Sequence, residues 1–479
     1  MAELDLSIFR LMRAGLSIMV IALAGCALKP QPAHEDTVGQ ALPASTKIPA
    51  GWNAAVVEGD VLDDWLKTFN DPALSALVQE AIANNLDLRR AAQSVIIAQQ
   101  TAVVVGARMS PWVGASLGAR STHDAGHDTD YNSSIAYASV AWEIDVWGLL
   151  RAQRAAAQAD YEATALDYAY ARQSLAATTA KVWYLAIETH QLLVLAEQSV
   201  QVYSDLLALI EIRRKAGKDS DLDTLDAQAR VDAAKSEVER ARQSDGEVRR
   251  ALEELLGRYP ASEIEVAQSY PALAPVTGAG VPSALLARRP DILAAEREVL
   301  ATFRSQEAAE LALLPQFTFS LAGGRLDDGV LSHLLLNPWL GSAHIGMTIP
   351  IFEGGALRAK VNIATAQQVQ SLDHYGAVAL TAFREVENGL ANDRLLALQL
   401  PLDQKVLDER TAEVQIATIQ YKAGRRDLLW VAQLQSIQIA SMAQVIKLGS
   451  EQRVNRVHLQ QALGGSFEAT PAATIQAVE

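Results

Sequence analysis

"RKAGKDSDLDTLDAQ" (Arg214–Gln228) and "YKAGRRDLLWVAQLQ" (Tyr421–Gln435) decide the fold of this 479-residue chain. They align without a gap, 207 residues apart (421 minus 214), and both place Lys-Ala-Gly between segments rich in helix-forming residues. Self-similarity at so long a spacing indicates two copies of one large unit, since solenoid repeats are much shorter.

The duplication extends upstream of these stretches. The same offset pairs "IDVWGLLRA" from Ile144 with "IFEGGALRA" from Ile351. Further upstream the offset is 204, because Asp87 aligns with Asp291 and Pro111 with Pro315. We attribute the difference to a three-residue insertion between two predicted strands of the second copy.

Each copy contains a very long helical hairpin. The segment from Leu149 to Ala216 has neither glycine nor proline, and an α-helix of that length would extend about 100 Å. A second helical segment, 222–256, follows the polar turn at Gly217. The second copy repeats the pattern around Gly424, where we expect Pro401 to kink or break the first arm.

Two stretches of alternating apolar residues precede each hairpin and predict strands at about 111–121, 133–145, 315–323 and 342–351. Such stretches suit transmembrane barrel strands, which need about 10 residues, and Trp112 and Trp142 fit an aromatic girdle. A small soluble sheet is the alternative. We expect the apolar side chains to face lipid: Val113, Leu117, Val140, Trp142, Phe317, Phe319, Ile345 and Ile349.

Four strands are too few for a closed membrane barrel, which needs about eight. Open strand edges in lipid would leave backbone groups without hydrogen-bond partners. Several chains must therefore share one barrel, if the strands span a membrane.

The only cysteine, Cys26, lies in "LAGC" after a short apolar run that follows Arg10 and Arg13. This order of charged, apolar and small residues predicts a lipoprotein signal peptide at 1–25, with Cys26 as the lipid-modified first residue of the mature chain. Ala27 favours sorting to the outer membrane by resemblance to bacterial lipoproteins. A buried helix with an inert thiol is the alternative.

The composition excludes several functions. A net charge of −15 makes nucleic acid an unsuitable partner. No nucleophile motif, phosphate loop or metal cluster occurs, so the sequence predicts neither an enzyme nor a cofactor beyond the N-terminal lipid. In the "HDAGHD" segment, His123 to Asp128, two histidines have the His-x3-His spacing that can bind zinc on a helix. The segment lies between two predicted strands and contains Gly126, which favours a solvated loop.

A series of motifs follows along the chain: Trp65, "DPAL" at Asp71, "NNLDL" at Asn84, "WEIDVWG" at Trp142, "RRPDI" at Arg288, "IPIFEGG" at Ile349 and the two "KAG" tips. In this order they resemble the TolC/OprM family of outer-membrane efflux proteins, in its lipoprotein branch. The resemblance implies a mainly α fold with a membrane β-barrel, a homotrimer with a shared 12-stranded barrel, and a periplasmic α-helical coiled-coil tunnel. It also implies a periplasmic adaptor and an inner-membrane resistance-nodulation-division pump as partners.

The resemblance places a periplasmic gate just past the hairpin tips. Arg426 and Asp223 match the family's basic and acidic gate positions, whereas Trp430 and Gln433 replace its two aspartates. Asp427 or Asp226 could substitute for them. Solvated charges at a helix tip are the alternative. The tips themselves match adaptor-docking positions at Lys215, Gly217, Lys422 and Gly424.

These inferences give the following organisation. The predicted segments are 1–25 (signal peptide), 26–70 (lipidated arm), 71–257 (first copy, tip near 214–222), 258–282 (proline-rich linker), 283–465 (second copy, tip near 421–429) and 466–479 (tail).

The predicted function is a passive exit duct of a tripartite efflux system, lipid-anchored in the bacterial outer membrane and extending into the periplasm. A duct for type I protein secretion would use the same architecture. A lipid-tethered periplasmic coiled-coil scaffold is the alternative of another class.

Overall fold

The computed structural model describes residues 28–54, 59–276, 278–328 and 339–468. Its elements, in chain order, are α1 (His34–Ala41), a 3₁₀ helix (Trp65–Phe69), α2 (Pro72–Asn84), α3 (Leu86–Ala107), β1 (Trp112–Asp124), β2 (Thr129–Ile144), α4 (Leu149–Lys215), α5 (Asp221–Leu255), α6 (Pro282–Leu285), α7 (Pro290–Leu311), β3 (Gln316–Asp328), β4 (Trp339–Thr348), α8 (Ala356–Lys422) and α9 (Leu428–Ala462).

The helices repeat the sequence duplication residue by residue. Helices α4 and α8 are both 67 residues long, and α5 and α9 are both 35. Adding 207 to the bounds of α4 and α5 gives the bounds of α8 and α9, and adding 204 to those of α3 gives α7. The predicted fold class, mainly helical with duplicated strand-strand-long-helix units, is confirmed.

The four strands form one antiparallel sheet in the order β1-β2-β3-β4. Val113 pairs with Val140 in the first hairpin, and Phe317 pairs with Met347 in the second. The first member of the pair shifts by 204 residues between copies and the second by 207. The three inserted residues therefore lie between the strands, as the sequence indicated.

Both β-hairpins extend further toward their turns than the apolar alternation predicts. Strand β1 continues to Asp124 and β3 to Asp328, through mostly polar residues. Backbone pairing does not require apolar side chains, so the paired strands extend beyond the segments with alternating apolar residues. At the other end β4 stops at Thr348, which leaves Ile349 one residue beyond the strand.

The break expected as one outcome at Pro401 is wrong, because α8 runs continuously from Ala356 to Lys422, and the kink expected as the other outcome stays a prediction. Proline removes one backbone donor and crowds the preceding turn. Pro401 is exposed, so the carbonyl that loses its partner can bind water. The rest of this long helix tolerates that local defect.

Helix α4 contains an 18-residue window that is long and apolar enough to cross a membrane by length and composition, and 28% of that window is buried within the chain. Helix α4 also packs in an apolar core, where Ala176, Ala177, Ala180, Trp183, Tyr184 and Ile187 are all buried.

The chain divides into two compact units. The first contains the arm up to Thr46, Ser94–Ala165 and Ala294–Ala377, and it includes the sheet. The second contains Lys47–Gln93, Leu166–Leu293 and Val378–Glu479. In the second unit, Asp71 caps α2 through the Leu74 N–H and accepts the indole N–H of Trp183 at 2.7 Å. The "DPAL" motif thus joins α2 to α4.

Buried Glu253 organises the linker that follows α5. Its carboxylate accepts the backbone N–H groups of Ser262, Glu263 and Ile264 at 2.6, 2.7 and 2.9 Å. Burial alone would raise the pKa of this carboxyl, but the backbone donors outweigh it and lower the pKa below the ordinary 4.5. The charged form is therefore stabilised at neutral pH.

Glu253→Ala should lower the urea midpoint of helix unfolding, followed by circular dichroism. It leaves three backbone donors without an acceptor, at about 1–3 kcal/mol for each one that water does not reach. Exposed Glu254 is the matched control, and Glu254→Ala should leave the midpoint unchanged. Equal midpoints for the two variants would show that Glu253 does not hold the linker.

Candidate functional site at the hairpin tips

Both hairpin tips end their first helix in the same way. The N–H groups of Gly217 and Lys218 bind the carbonyls of Arg214 and Arg213, and Gly424 and Arg425 repeat this arrangement with Tyr421 and Gln420. This is the Schellman motif, which requires a left-handed residue after the helix. Gly217 and Gly424 supply it, with φ of 69° and 73°. The predicted docking residues Lys215, Gly217, Lys422 and Gly424 are all exposed.

The second helix of each tip begins with a side-chain cap. Ser220 and Asp223 form a capping box at α5, and the Asp223 carboxylate accepts the Ser220 hydroxyl at 2.6 Å. Asp427 caps α9 through the Trp430 N–H at 3.0 Å. Two of the four predicted gate residues thus stabilise helix starts within the chain.

Arg426 lies over the ring of Trp430, with the guanidinium carbon 5.2 Å from the ring centroid. Its Nε also donates to the Gln420 side chain at 3.3 Å. Among the residues that the structure describes, no ion pair joins Arg426 to Asp223 within the chain.

The structure adds a contact between the two tips that the sequence did not predict. The Arg213 guanidinium donates to both carboxylate oxygens of Asp219, at 2.9 and 3.1 Å, and to the Tyr421 carbonyl at 3.2 Å. The Tyr421 hydroxyl donates to Asp219 at 2.8 Å, and Arg213 stacks on the Tyr421 ring at 4.4 Å. We call Arg213, Asp219 and Tyr421 the tip lock.

The tip lock is largely shielded from water, with side-chain exposures of 17% for Arg213 and 8% for Asp219. Burial alone would raise the pKa of the Asp219 carboxyl, but the bonds from Arg213 and Tyr421 outweigh it and lower the pKa below 3.8. The Asp219 carboxylate raises the pKa of Arg213 through their hydrogen bond. Both groups are therefore charged at neutral pH.

The duplication shows why this contact was missed. Arg213 and Asp219 of the first copy align with Gln420 and Arg426 of the second, since each pair differs by 207. The second copy keeps the side-chain contact but replaces the ion pair with a neutral acceptor and a cation. In the sequence, the contact is marked only by the opposite charges of Arg213 and Asp219, which flank the first KAG tip and have no matching pair at the second.

An apolar cluster lies behind the tip lock, and an apolar rim faces outward. The cluster joins both hairpins through Leu206, Ile210, Ala227, Ala417, Tyr421, Leu428, Val431, Ala432 and Leu434. The exposed rim is formed by Leu222, Leu225, Leu429 and Trp430. Buried apolar area holds the two hairpins of one chain together, while the rim remains available for contact.

The sheet of the first unit has two chemically distinct faces. The pairing register places seven of the eight predicted lipid-facing residues on one face: Val113, Leu117, Val140, Trp142, Phe317, Phe319 and Ile345. The opposite face carries small or polar residues such as Ser116, Thr318 and His344. Trp112 lies on this opposite face, where its ring covers Gly114, so it does not share a face with Trp142.

Other predicted features are placed as follows. His123 contacts Asp130 at 2.8 Å across the β1–β2 ladder, and both side chains are exposed. Within the described part of the chain, no three metal-ligating side chains converge. Cys26 lies outside the described residues.

Comparisons with known proteins agree on one family. The family model described as "Outer membrane efflux protein" matches residues 77–258 and 281–465. The pyoverdine export outer membrane protein OpmQ of Pseudomonas putida is 30% identical over 440 residues, which cover 88% of this chain and 92% of OpmQ.

A second relative and a solved structure extend this agreement. The toluene efflux pump outer membrane protein TtgF of Pseudomonas putida is 28% identical over 467 residues, 94% of this chain and 95% of TtgF. The structure of the outer-membrane channel OprN superposes with a TM-score of 0.80 at 25% identity, over 92% of this chain and 100% of OprN.

Proposed function

This chain belongs to the outer membrane efflux protein family, and we propose that three copies of it form a passive exit duct for small molecules. In this proposal the copies share a 12-stranded barrel in the outer membrane, and their helical hairpins form a tunnel in the periplasm. A periplasmic adaptor and an inner-membrane resistance-nodulation-division pump supply cargo and energy. The named cargoes of the relatives, pyoverdine and toluene, support small molecules as the substrate class.

The two-faced sheet with two open edges carries this proposal. Strands β1 and β4 each pair on one side only among the described strands. Adjacent strands alternate in direction, so β4 of one copy can pair with β1 of the next in the antiparallel sense. Closure around a ring would satisfy both edges and turn the apolar face toward lipid.

Exposed apolar side chains on the helices supply contact surfaces for neighbouring copies. Helix α3 exposes Ile97, Val103 and Val104, and α8 exposes Ile363, Leu395, Leu398, Leu402, Ile416 and Ile419. Apolar residues exposed along a helix are typical of surfaces that pack against another helix. A second copy of the chain is the occupant that the proposed duct requires.

The hairpin tips form the closed end of the duct in this proposal. The tip lock fixes the two hairpins of each chain, and Asp223, Arg426, Asp427 and Trp430 meet the same groups of neighbouring copies. Opening requires the tips to separate, which breaks contacts of both kinds. The exposed Lys-Ala-Gly turns are the proposed docking points for the adaptor.

Gel migration tests the shared barrel. An unheated sample in mild detergent should migrate as three chains, and a boiled sample as one, because a closed barrel resists detergent. A tethered scaffold would migrate as one chain in both samples. That result would replace the duct with the scaffold alternative.

We also propose that Cys26 carries the membrane anchor. Cys26→Ser should yield no acylated N-terminal peptide and should reduce the amount of protein in the outer-membrane fraction, since the acyl chains supply stable anchoring. Mass spectrometry of the wild-type N-terminal peptide is the direct check. An unmodified peptide that extends through Cys26 would contradict both the signal cleavage and the anchor.

A further inference from the structure

The N-terminal arm is held by an ion pair on α7. Glu307 accepts the backbone N–H of Lys29 at 2.5 Å, and Arg304 donates to the backbone carbonyl of the same residue at 2.7 Å. Arg304 also binds Glu307 at 2.7 Å. Both polar groups of the Lys29 backbone are thus satisfied by one pair of side chains.

The Arg304–Glu307 ion pair is buried. The side chains of Arg304 and Glu307 are only 10% and 4% exposed, and they lie three residues apart on one face of α7. Each would be costly to bury without the other and without further hydrogen bonds. The arm supplies those bonds, so an extended strand of backbone completes a buried charged pair.

The residues beside Lys29 are suited to this contact. Pro30 restricts Lys29 to extended backbone, which exposes its N–H and carbonyl to side chains rather than to a helix. Leu28 packs into a small apolar cluster with Leu149 and Ala308. The outer salt bridge from the Lys29 ammonium to Glu310 is half exposed and contributes little.

The site lies where strands and helices meet in the first unit. Leu28 contacts the first turn of α4, which begins five residues after the end of β2, and the last turn of α7, just before β3 begins. The Trp147 indole donates to the Pro315 carbonyl at 2.8 Å and joins the same two connections. Trp147 is partly exposed, as suits a residue at a membrane–water boundary.

We propose that Arg304 and Glu307 form a docking site for the N-terminal arm, which fixes the lipid anchor at the base of the barrel strands. The covalent chain allows at most about 7 Å between the Cα atoms of Cys26 and Leu28. Holding Leu28 and Lys29 therefore limits where acyl chains on Cys26 can enter the membrane. This inference rests on the proposed anchor and shared barrel.

The docking has a consequence for assembly. A fixed anchor delivers the chain to the membrane with its strand bases already at the lipid surface, whereas a free arm would allow many unproductive orientations. Tethering assists a second event only when the tether geometry matches the required position. Trimer formation in the membrane should therefore depend on the docked arm and not only on the lipid.

Two substitutions at one position separate the backbone contact from the side-chain contact. Lys29→Pro removes the N–H that Glu307 accepts, and Lys29→Ala keeps it while deleting the bridge to Glu310. We expect Lys29→Pro to lower the yield of heat-labile trimer in the outer-membrane fraction several-fold, and Lys29→Ala to match the wild type. Equal yields for the two variants would overturn the role in assembly.

Hydrogen exchange of the Lys29 amide tests the docking itself in detergent, whatever the oligomeric state. The amide should exchange slowly in the wild type and quickly in Glu307→Leu, which removes the acceptor but keeps a similar side-chain volume. Fast exchange in the wild type would overturn the docking site. Slow exchange in a wild type that forms no trimer would instead contradict the shared barrel and leave the docking intact.

Discussion

Leu117→Arg should abolish the heat-labile trimer in the outer membrane. Leu117 lies near the middle of β1, is almost fully exposed in the single chain, and shares its face with Ala136 of β2. An arginine on the lipid-facing side near the bilayer midplane costs about 2–4 kcal/mol. Each of three copies would carry this cost, so the loss for the assembled barrel is threefold larger.

Ser116→Arg is the matched control for this substitution. Ser116 is the neighbouring residue on the same strand, at the same depth, and its register partner is Tyr137 on the opposite face. If that face lines an aqueous channel, the new guanidinium is hydrated and the trimer should form in normal amounts. Equal loss for both variants, or equal tolerance, would contradict the assignment of the two faces.

Asp219→Ala should raise the single-channel conductance of the duct without preventing trimer formation. It removes the carboxylate that binds Arg213 and the Tyr421 hydroxyl, so the two hairpins of one chain lose their main polar connection at the tip. Hydrogen bonds to charged groups contribute about 1.5–3 kcal/mol each. Since 1.4 kcal/mol changes an equilibrium tenfold, one such bond per chain is enough to shift a closed tip toward its open form.

Asp221→Ala tests whether this effect is specific. Asp221 lies two residues away and pairs with Arg214, but its side chain is 84% exposed. Exposed pairs contribute about 0–1 kcal/mol, so this variant should conduct like the wild type. Tyr421→Phe should give an intermediate increase, and adding it to Asp219→Ala should give no further one, because both remove the same contact.

The tip lock should also weaken in strong acid but not in mild acid. The folded pKa of Asp219 is depressed, so its contribution is complete above the ordinary value of 3.8 and is lost as the pH falls through the lower folded value. Conductance of the wild type should therefore show no change from this group between neutral pH and mild acid. An increase near pH 6 would point to another titrating group.

The helices and their tips were predictable because their determinants are local. A run without glycine or proline predicted α4, and Gly217 and Gly424 marked the ends of α4 and α8. The alternation of apolar and polar residues likewise predicted the apolar face of the sheet. The break expected at Pro401 does not occur, because one exposed proline is a small defect in a 67-residue helix.

The tip lock and the arm site could not be read from the sequence. Tyr421 meets Arg213 across about 200 residues of chain, and the duplication aligns Arg213 with an uncharged glutamine, so no repeated pattern marked the contact. Arg304 and Glu307 resemble an ordinary surface pair three residues apart on a helix. Only the packed structure brings the backbone of Lys29 to them.

Single-channel recording of the purified protein in planar bilayers tests the central claim most directly. Three chains that share a barrel closed at the hairpin tips should give uniform small steps in the wild type and clearly larger steps in Asp219→Ala at the same salt and voltage. The absence of discrete steps from both proteins, despite normal insertion, would contradict the account, because it would show that the strands enclose no channel.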